Sequence, residues 1–215
     1  MEDLLTLGGR SIKSRLLIGT GKFSSYPLMK KALEAAQPDI VTVALRRVDL
    51  GSHSANILEY VPKSCLLMAN TSGARNADEA VRIARLAKAG GQGNWIKIEV
   101  VQDNKYLLPD NLETLKAVEI LAKDGFIVLP YMSPDLSMAK RMVDAGAAAV
   151  MPLGSPIGSN RGVKTRELVE IMVREIKALD PKPGLAFRHE AVQPVVPDVF
   201  VRRAADGGWL VELNS

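Results

Sequence analysis

The pattern of residues 65–101, CLLMANTSGARNADEAVRIARLAKAGGQGNWIKIEVV, predicts the type of fold. It begins with a short apolar strand over 65–69, which leads into a polar loop. A helix follows, capped by Asn76, with apolar residues every three or four positions and two glycines at its end. The apolar run 95–101 predicts a second strand. Two apolar strands joined by an amphipathic helix predict a parallel βαβ unit.

The same alternation extends along the chain in both directions. It predicts six strands, over 15–21, 40–45, 65–69, 95–101, 126–132 and 147–153. It predicts helices over 25–37, 76–89, 109–124, 133–145 and 165–177, with a short helical piece at 56–61. A doubly wound sheet would suit a nucleotide, but no Gly-x-Gly-x-x-Gly motif follows the first strand.

Polar groups fall at the carboxyl ends of the predicted strands, where a (β/α) TIM-type barrel carries its site. These groups are Thr20, Arg46, Asn70, Glu99, Tyr131 and the loop at Gly154. We therefore expect an α/β fold of the barrel kind. Six βα units are two fewer than a closed barrel contains, so the barrel is expected to be truncated.

Lys97 lies in the middle of the apolar strand 95–101, and Glu99 follows two residues later. Alternate side chains of a strand share a face, so these two point the same way, opposite to Ile96 and Ile98. Burying a lysine is costly, and removing it from water favours the neutral, nucleophilic amine. An amine beside a carboxylate suits Schiff-base chemistry on a carbonyl substrate. A structural ion pair on an edge strand is the alternative.

Composition and charge narrow the possible classes of protein and of binding partner. Hydrophobic residues make up 47% of the 215 residues, and the net charge of +4 without runs of like charge argues against a nucleic-acid partner. No apolar stretch is long enough for a membrane span, and the acidic start differs from a signal peptide, so a cytoplasmic protein is expected. The single cysteine, Cys65, is predicted to be a buried, inert thiol. His53 and His189 offer no metal spacing, and nothing requires a metal or redox cofactor.

The pattern changes after residue 177. The segment Leu179 to Gly184 is typical of a linker. The runs 198–203 and 209–213 alternate around Asp206-Gly207-Gly208 and predict a β-hairpin. We expect two parts, a barrel portion over 1–177 and an unrelated tail over 178–215.

Several stretches closely resemble bacterial thiazole synthase, an enzyme of thiamine biosynthesis. They include RLLIGTGKF (15–23), NTSGARNADEAVRIARLA (70–87), IKIEV (96–100), GFIVLPYMS (125–133) and AAAVMPLGSPIGSNRGV (147–163). The resemblance runs from about residue 4 to about residue 177. It implies a (β/α)₈ barrel fold and a homo-oligomer. It also implies an enzyme that joins 1-deoxy-D-xylulose 5-phosphate, dehydroglycine and the thiocarboxylate of a sulfur-carrier protein.

The resemblance also implies roles for particular residues. Lys97 is the expected Schiff-base lysine, Glu99 the neighbouring acid or base, and Gly158 a substrate-binding glycine whose loop lets a backbone N–H approach the sugar phosphate.

Further candidates rest on the residues alone, apart from the resemblance. Arg46 and Arg47 could hold a phosphate or form a solvated charge pair. Asn70, Thr71 and Ser72 could line the pocket or make turn hydrogen bonds.

The chain departs from the family after the sixth unit, because the seventh and eighth strands, which carry much of the phosphate site, have no counterpart. Residues 180–214 instead resemble a fragment of the sigma-N RNA polymerase sigma factor. A catalytically impaired or chimeric remnant that keeps the fold and binds the carrier protein or another partner is therefore the alternative to an active enzyme.

Overall fold

The fold is described over most of the chain by a computed structural model. The described residues are 5–44, 56–179, 193–196, 199–203 and 209–213. In chain order the strands are β1 (Leu5–Leu7), β2 (Arg10–Ile12), β3 (Leu17–Gly19), β4 (Ile40–Ala44), β5 (Leu66–Asn70), β6 (Trp95–Ile98), β7 (Ile127–Met132), β8 (Met151–Pro152), β9 (Gln193–Val196), β10 (Val199–Arg203) and β11 (Trp209–Leu213). The helices are α1 (Tyr26–Ala36), α2 (Ala77–Ala89), α3 (Asn111–Lys123), α4 (Leu136–Asp144) and α5 (Arg166–Leu179), and a 3₁₀ helix spans Ile57–Tyr60.

The six strands β3 to β8 pair in parallel and follow the same order in the sheet as in the chain. They form one curled sheet in an α/β fold. The βα alternation predicted from the sequence is confirmed, with shorter strands at both ends of the series. The sixth strand spans Met151–Pro152 rather than 147–153, and β6 ends at Ile98, so Glu99 lies just beyond it.

The helices begin where the sequence supplies capping side chains. Ser25, Asn76, Asp110 and Asp135 each accept a hydrogen bond from a backbone N–H in the first turn of the helix that follows. The helices pack on the outer face of the sheet, where Ile96 and Ile98 of β6 are fully buried among side chains of α2 and α3. This packing fixes which side chains of each strand face inward.

The inner face is closed at one end by an antiparallel hairpin of β1 and β2, which the sequence analysis did not predict. Its residues Leu7 and Ile12 pack on Trp95, and the same cluster contains Ile40, Met68, Leu129 and Ala149. Trp95 shares its face with Lys97. This cluster, called the apolar plug below, fills the sheet interior on the amino-terminal side of Lys97.

The last strands extend this sheet beyond β3. Strands β10 and β11 pair antiparallel, and β11 lies beside β3 through the parallel pairing of Glu212 with Leu17. The turn predicted at Asp206-Gly207-Gly208 lies outside the described residues. Strand β9, which the sequence analysis did not predict, pairs antiparallel with β10.

Gly8 gives a test of how tightly the hairpin seals the sheet. Both turn glycines have positive φ, but a Cβ on Gly8 would lie 2.5 Å from Ile127 Cγ2, whereas one on Gly9 would meet nothing within 4 Å. We expect Gly9→Ala to lower the free energy of unfolding by about 1 to 2 kcal/mol through backbone strain alone. Gly8→Ala should lower the free energy of unfolding by about 1 to 3 kcal/mol more than Gly9→Ala does, because the added methyl group overpacks the plug.

Urea denaturation of both variants measures this difference. Equal losses of unfolding free energy in the two alanine variants would show that the hairpin turn is not tightly packed against the sheet.

Candidate active site

Lys97 and Glu99 meet on the inner face of the sheet, as their spacing predicts. Lys97 Nζ lies 3.1 Å from Glu99 Oε1, and the side chains are 18% and 8% exposed. Although this is ion-pair distance, Glu99 Oε1 has no hydrogen-bond partner of good geometry among the described residues. An amine and a carboxylate are thus held together out of bulk water, with acceptor capacity left on the carboxylate.

The neighbouring strands supply the walls around the amine. Lys97 Nζ lies 5.4 Å from the centroid of the Tyr131 ring, within the range of a cation–π contact. On the other side, Asn70 is the Cα partner of Lys97 in the pairing of β5 with β6, and it is buried. Lys97 is therefore flanked by Asn70 on β5 and by Tyr131 on β7, and its ammonium contacts the Tyr131 ring.

The residues after β5 make turn contacts and a contact to the next strand. Asn70 Oδ1 accepts a hydrogen bond from Ser72 N at 3.2 Å, which is the turn bond expected as the alternative to a pocket role. The hydroxyl of Thr71 instead reaches the backbone of Glu99. This long-range contact could not be predicted from the sequence, because nothing in the spacing of residues 71 and 99 indicates it.

The loop after β8 carries Gly158, which has a positive φ of 76°. A Cβ at this position would lie 3.5 Å from the ammonium nitrogen of Lys22, in the loop after β3. Ser159 Oγ is buried and has no hydrogen-bond partner among the described residues. Lys22 was not among the residues predicted from the sequence, because only the curl of the sheet brings the loops of its first and sixth parallel strands together.

The loop is pinned at its base by its own polar groups. Ser155 Oγ donates a hydrogen bond to Gly162 O at 2.6 Å, and Thr165 Oγ1 donates one to Leu153 O at 2.6 Å. These bonds set the path of the loop and leave its tip, with Gly158, exposed. The tip is consequently a surface at which a backbone N–H and the Lys22 ammonium can meet an anion.

Arg46, Arg47, His53 and His189 fall outside the described residues. In the part of the chain that is described, no three His, Cys, Asp or Glu side chains lie together as metal ligands would.

Cys65 lies at the amino ends of the strands, opposite the amine. It lines a cavity of about 860 Å³ together with Ser14, Arg15 and Asp39. The thiol is half-buried rather than fully buried as predicted, and it donates to Pro38 O at 3.2 Å. Burial raises the pKa of Cys65, which reduces its thiolate fraction at neutral pH. That agrees with an inert thiol.

The curled parallel sheet, with Lys97 and Glu99 at the carboxyl end of β6, has an α/β fold of the barrel-like class. The family model of the thiazole biosynthesis protein ThiG matches residues 6–179. The chain therefore belongs to the ThiG family, the thiazole synthases of thiamine biosynthesis. This confirms the resemblance found in the sequence.

Curated relatives agree over long stretches. The thiazole synthase of Pelotomaculum thermopropionicum is 66% identical over 215 residues, which is all of this chain and 78% of the relative. The thiazole synthase of Acetivibrio thermocellus is 64% identical over the same length and covered to the same extent. That of Alkaliphilus metalliredigens is 64% identical over 171 residues, 80% of this chain and 66% of the relative.

A solved structure, the BexX/CysO complex of Amycolatopsis orientalis, has a similar fold. Its TM-score is 0.68 at 28% identity, and the match covers 80% of this chain and 70% of that chain. Among the described helices of the present chain, none has the length and apolarity needed to cross a membrane.

A second family model confirms the likeness noted in the tail. The core binding domain of the sigma-54 factor matches residues 155–215. This match begins earlier than the predicted boundary near 178, and it overlaps the thiazole synthase match over residues 155–179.

Proposed function

We propose that Lys97 forms an imine with the ketone of 1-deoxy-D-xylulose 5-phosphate, as the first covalent step of thiazole phosphate synthesis by this chain. The observation that carries the proposal is the 3.1 Å approach of Lys97 Nζ to Glu99 Oε1 on the inner face of the sheet. Dehydroglycine and the thiocarboxylate of a sulfur-carrier protein are the co-substrates in this proposal.

The chemistry assigns a separate task to each member of the pair. The Lys97 amine adds to the ketone carbon, and loss of water gives the C=N bond of the imine. The carboxylate of Glu99 then takes a proton from the carbon next to the imine, and the C–H electron pair forms the enamine. The unused acceptor capacity of Glu99 Oε1 supports this second task.

The phosphate end of the sugar is assigned to the loop at Gly158. Three features support this assignment: the glycine with positive φ, the Lys22 ammonium beside it, and the buried Ser159 hydroxyl without a described partner. Backbone N–H groups and an ammonium both favour a phosphate, and the hydroxyl adds a donor. The loop would then supply part of the phosphate site that the family carries on its seventh and eighth strands.

The architecture is part of the same proposal. We assign residues 1–177 to a TIM-type barrel portion truncated after six βα units, and residues 178–215 to an unrelated tail with a β-hairpin. The sigma-54 core binding domain match over residues 155–215 supports a separate tail, whereas the 64 to 66% identity to two curated thiazole synthases is counted over all 215 residues. The position of the boundary between the two parts stays a prediction, since the two matches overlap.

Two protein partners belong to the proposal. A sulfur-carrier protein is one, supported by the neighbour solved as the BexX/CysO complex. A second copy of the chain is the other, since β8 lies at the sheet edge among the described strands, and an unpaired parallel edge favours association. A biosynthetic role of this kind is assigned to the cytoplasm.

The alternative of an inactive remnant is not favoured. Identity of 64 to 66% with curated thiazole synthases extends along the whole chain. A remnant would retain the fold without forming the imine, so the two proposals differ in a measurable covalent step.

Borohydride trapping tests the covalent step. Incubation with 1-deoxy-D-xylulose 5-phosphate followed by reduction should leave a sugar-phosphate adduct on the peptide that contains Lys97, read by mass spectrometry. Lys97→Arg should abolish the adduct, because arginine keeps the positive charge beside Glu99 but does not form this imine. Lys105→Arg, on an exposed loop, is the matched control and should label normally.

Folded wild-type protein that gives no adduct would contradict the proposed function and favour the remnant. An adduct that survives in Lys97→Arg would assign the imine to another lysine.

Two glycines of one loop test the phosphate site. Gly158→Ala and Gly162→Ala both place alanine at positive φ, so each should lower the free energy of unfolding by about 1 to 2 kcal/mol. A Cβ at Gly158 would lie beside Lys22, whereas one at Gly162 would meet nothing within 4 Å. We expect only Gly158→Ala to raise the sugar-phosphate concentration needed for half-maximal trapping. The site assignment would be wrong if both variants weakened binding equally.

A further inference from the structure

Thr71 makes an unusual connection between the end of β5 and the residue that follows β6. Its hydroxyl accepts a hydrogen bond from Glu99 N at 2.8 Å and donates one to Glu99 O at 2.9 Å. Its own N–H donates to Lys97 O at 3.1 Å. Thr71 is fully buried. One threonine therefore binds the backbone carbonyl of Lys97 and both backbone groups of Glu99, on either side of Ile98.

The hydroxyl replaces strand pairing where the pairing stops. Regular pairing of β5 with β6 ends at Asn70 and Lys97, and the chain then turns away after Thr71. Pairing resumes at the isolated bridge between Ala74 and Val100. Across this gap, the Thr71 hydroxyl bonds both buried backbone groups of Glu99. Without it, both groups would need to move in order to find a partner.

The two halves of the pair depend on Thr71 differently. Lys97 is held by its ladder position and by the backbone N–H of Thr71, neither of which a side-chain substitution removes. Glu99 lies past the last residue of β6 and is held by the hydroxyl. Removing the hydroxyl should consequently displace the carboxylate more than the amine.

We propose that Thr71 is a positioning residue, whose hydroxyl fixes the Glu99 carboxylate for proton transfer at the carbon next to the imine. The inference rests on the proposed function of Lys97 and Glu99. It extends that function to a buried residue that need not touch the substrate. Proton transfer depends steeply on distance and angle, so a small displacement of Glu99 slows this step while imine formation continues.

The step can be followed in D₂O. Glu99 takes the proton from the carbon next to the imine and the electron pair forms the enamine, after which a solvent deuteron returns to that carbon. Each cycle leaves one deuterium on the sugar, and mass spectrometry of the borohydride-trapped adduct reads deuterium content and adduct yield together. Thr71→Val should keep the yield and slow deuterium uptake by about 10²-fold. Thr71→Ser should restore most of the rate.

Two further variants separate positioning from a general structural effect. Thr114→Val removes a hydroxyl that is equally buried but has no hydrogen-bond partner among the described residues, and it should exchange deuterium at the wild-type rate. Glu99→Gln should lose the exchange, and adding Thr71→Val to it should cause no additional loss, because the two residues act as a unit.

The proposal would be wrong if Thr71→Val took up deuterium on the sugar at the wild-type rate. It would also be wrong if that variant lost adduct yield and deuterium uptake to the same extent. An absence of adduct in the wild type would instead overturn the proposed function. In that case the hydrogen-exchange rate of the Glu99 backbone N–H, measured without substrate, tests whether the Thr71 hydroxyl holds Glu99. Thr71→Val should speed that exchange and Thr71→Ser should not; equal rates in all three proteins would overturn the proposal.

Discussion

The parallel pairing of β5 with β6 is the constraint on which the candidate site depends. Its register sets Asn70 opposite Lys97 and keeps the lysine on the inner face. A slip of one residue would turn Lys97 toward the helices and bring Ile96 and Ile98 to the open interior. Both isoleucines are fully buried among α2, α3 and their neighbours, so the outer core opposes such a slip. The position of the amine is thus set by apolar packing on the opposite face.

The inner face changes in character along a single strand. Trp95 packs in the plug formed with the N-terminal hairpin. Lys97 is the next residue on the same face, and Glu99 follows it just beyond the carboxyl end of β6. The apolar plug excludes water from the amino-terminal side of Lys97. A half-buried amine beside a carboxylate follows from this order of residues, and it needs no unusual backbone within the strand.

Much of this arrangement could be predicted from local patterns. Apolar runs and periodic segments indicated the six parallel strands and their helices, and alternation along 95–101 put Lys97 and Glu99 on one face. Features that depend on distant parts of the chain were missed. The bond from Thr71 to Glu99 spans 28 residues, and the approach of Lys22 to Gly158 needs the curl of the whole sheet. The first hairpin was missed because its strands are only three residues long.

We propose that six parallel strands are enough to hold the amine, the carboxylate and the loop at Gly158 around one sugar phosphate. A crystal structure of the borohydride-reduced adduct tests it most directly. We expect continuous density from Lys97 Nζ to the sugar, with the phosphate against the loop at Gly158 and beside Lys22. Density for the sugar on another lysine, or a phosphate directed away from that loop, would contradict it.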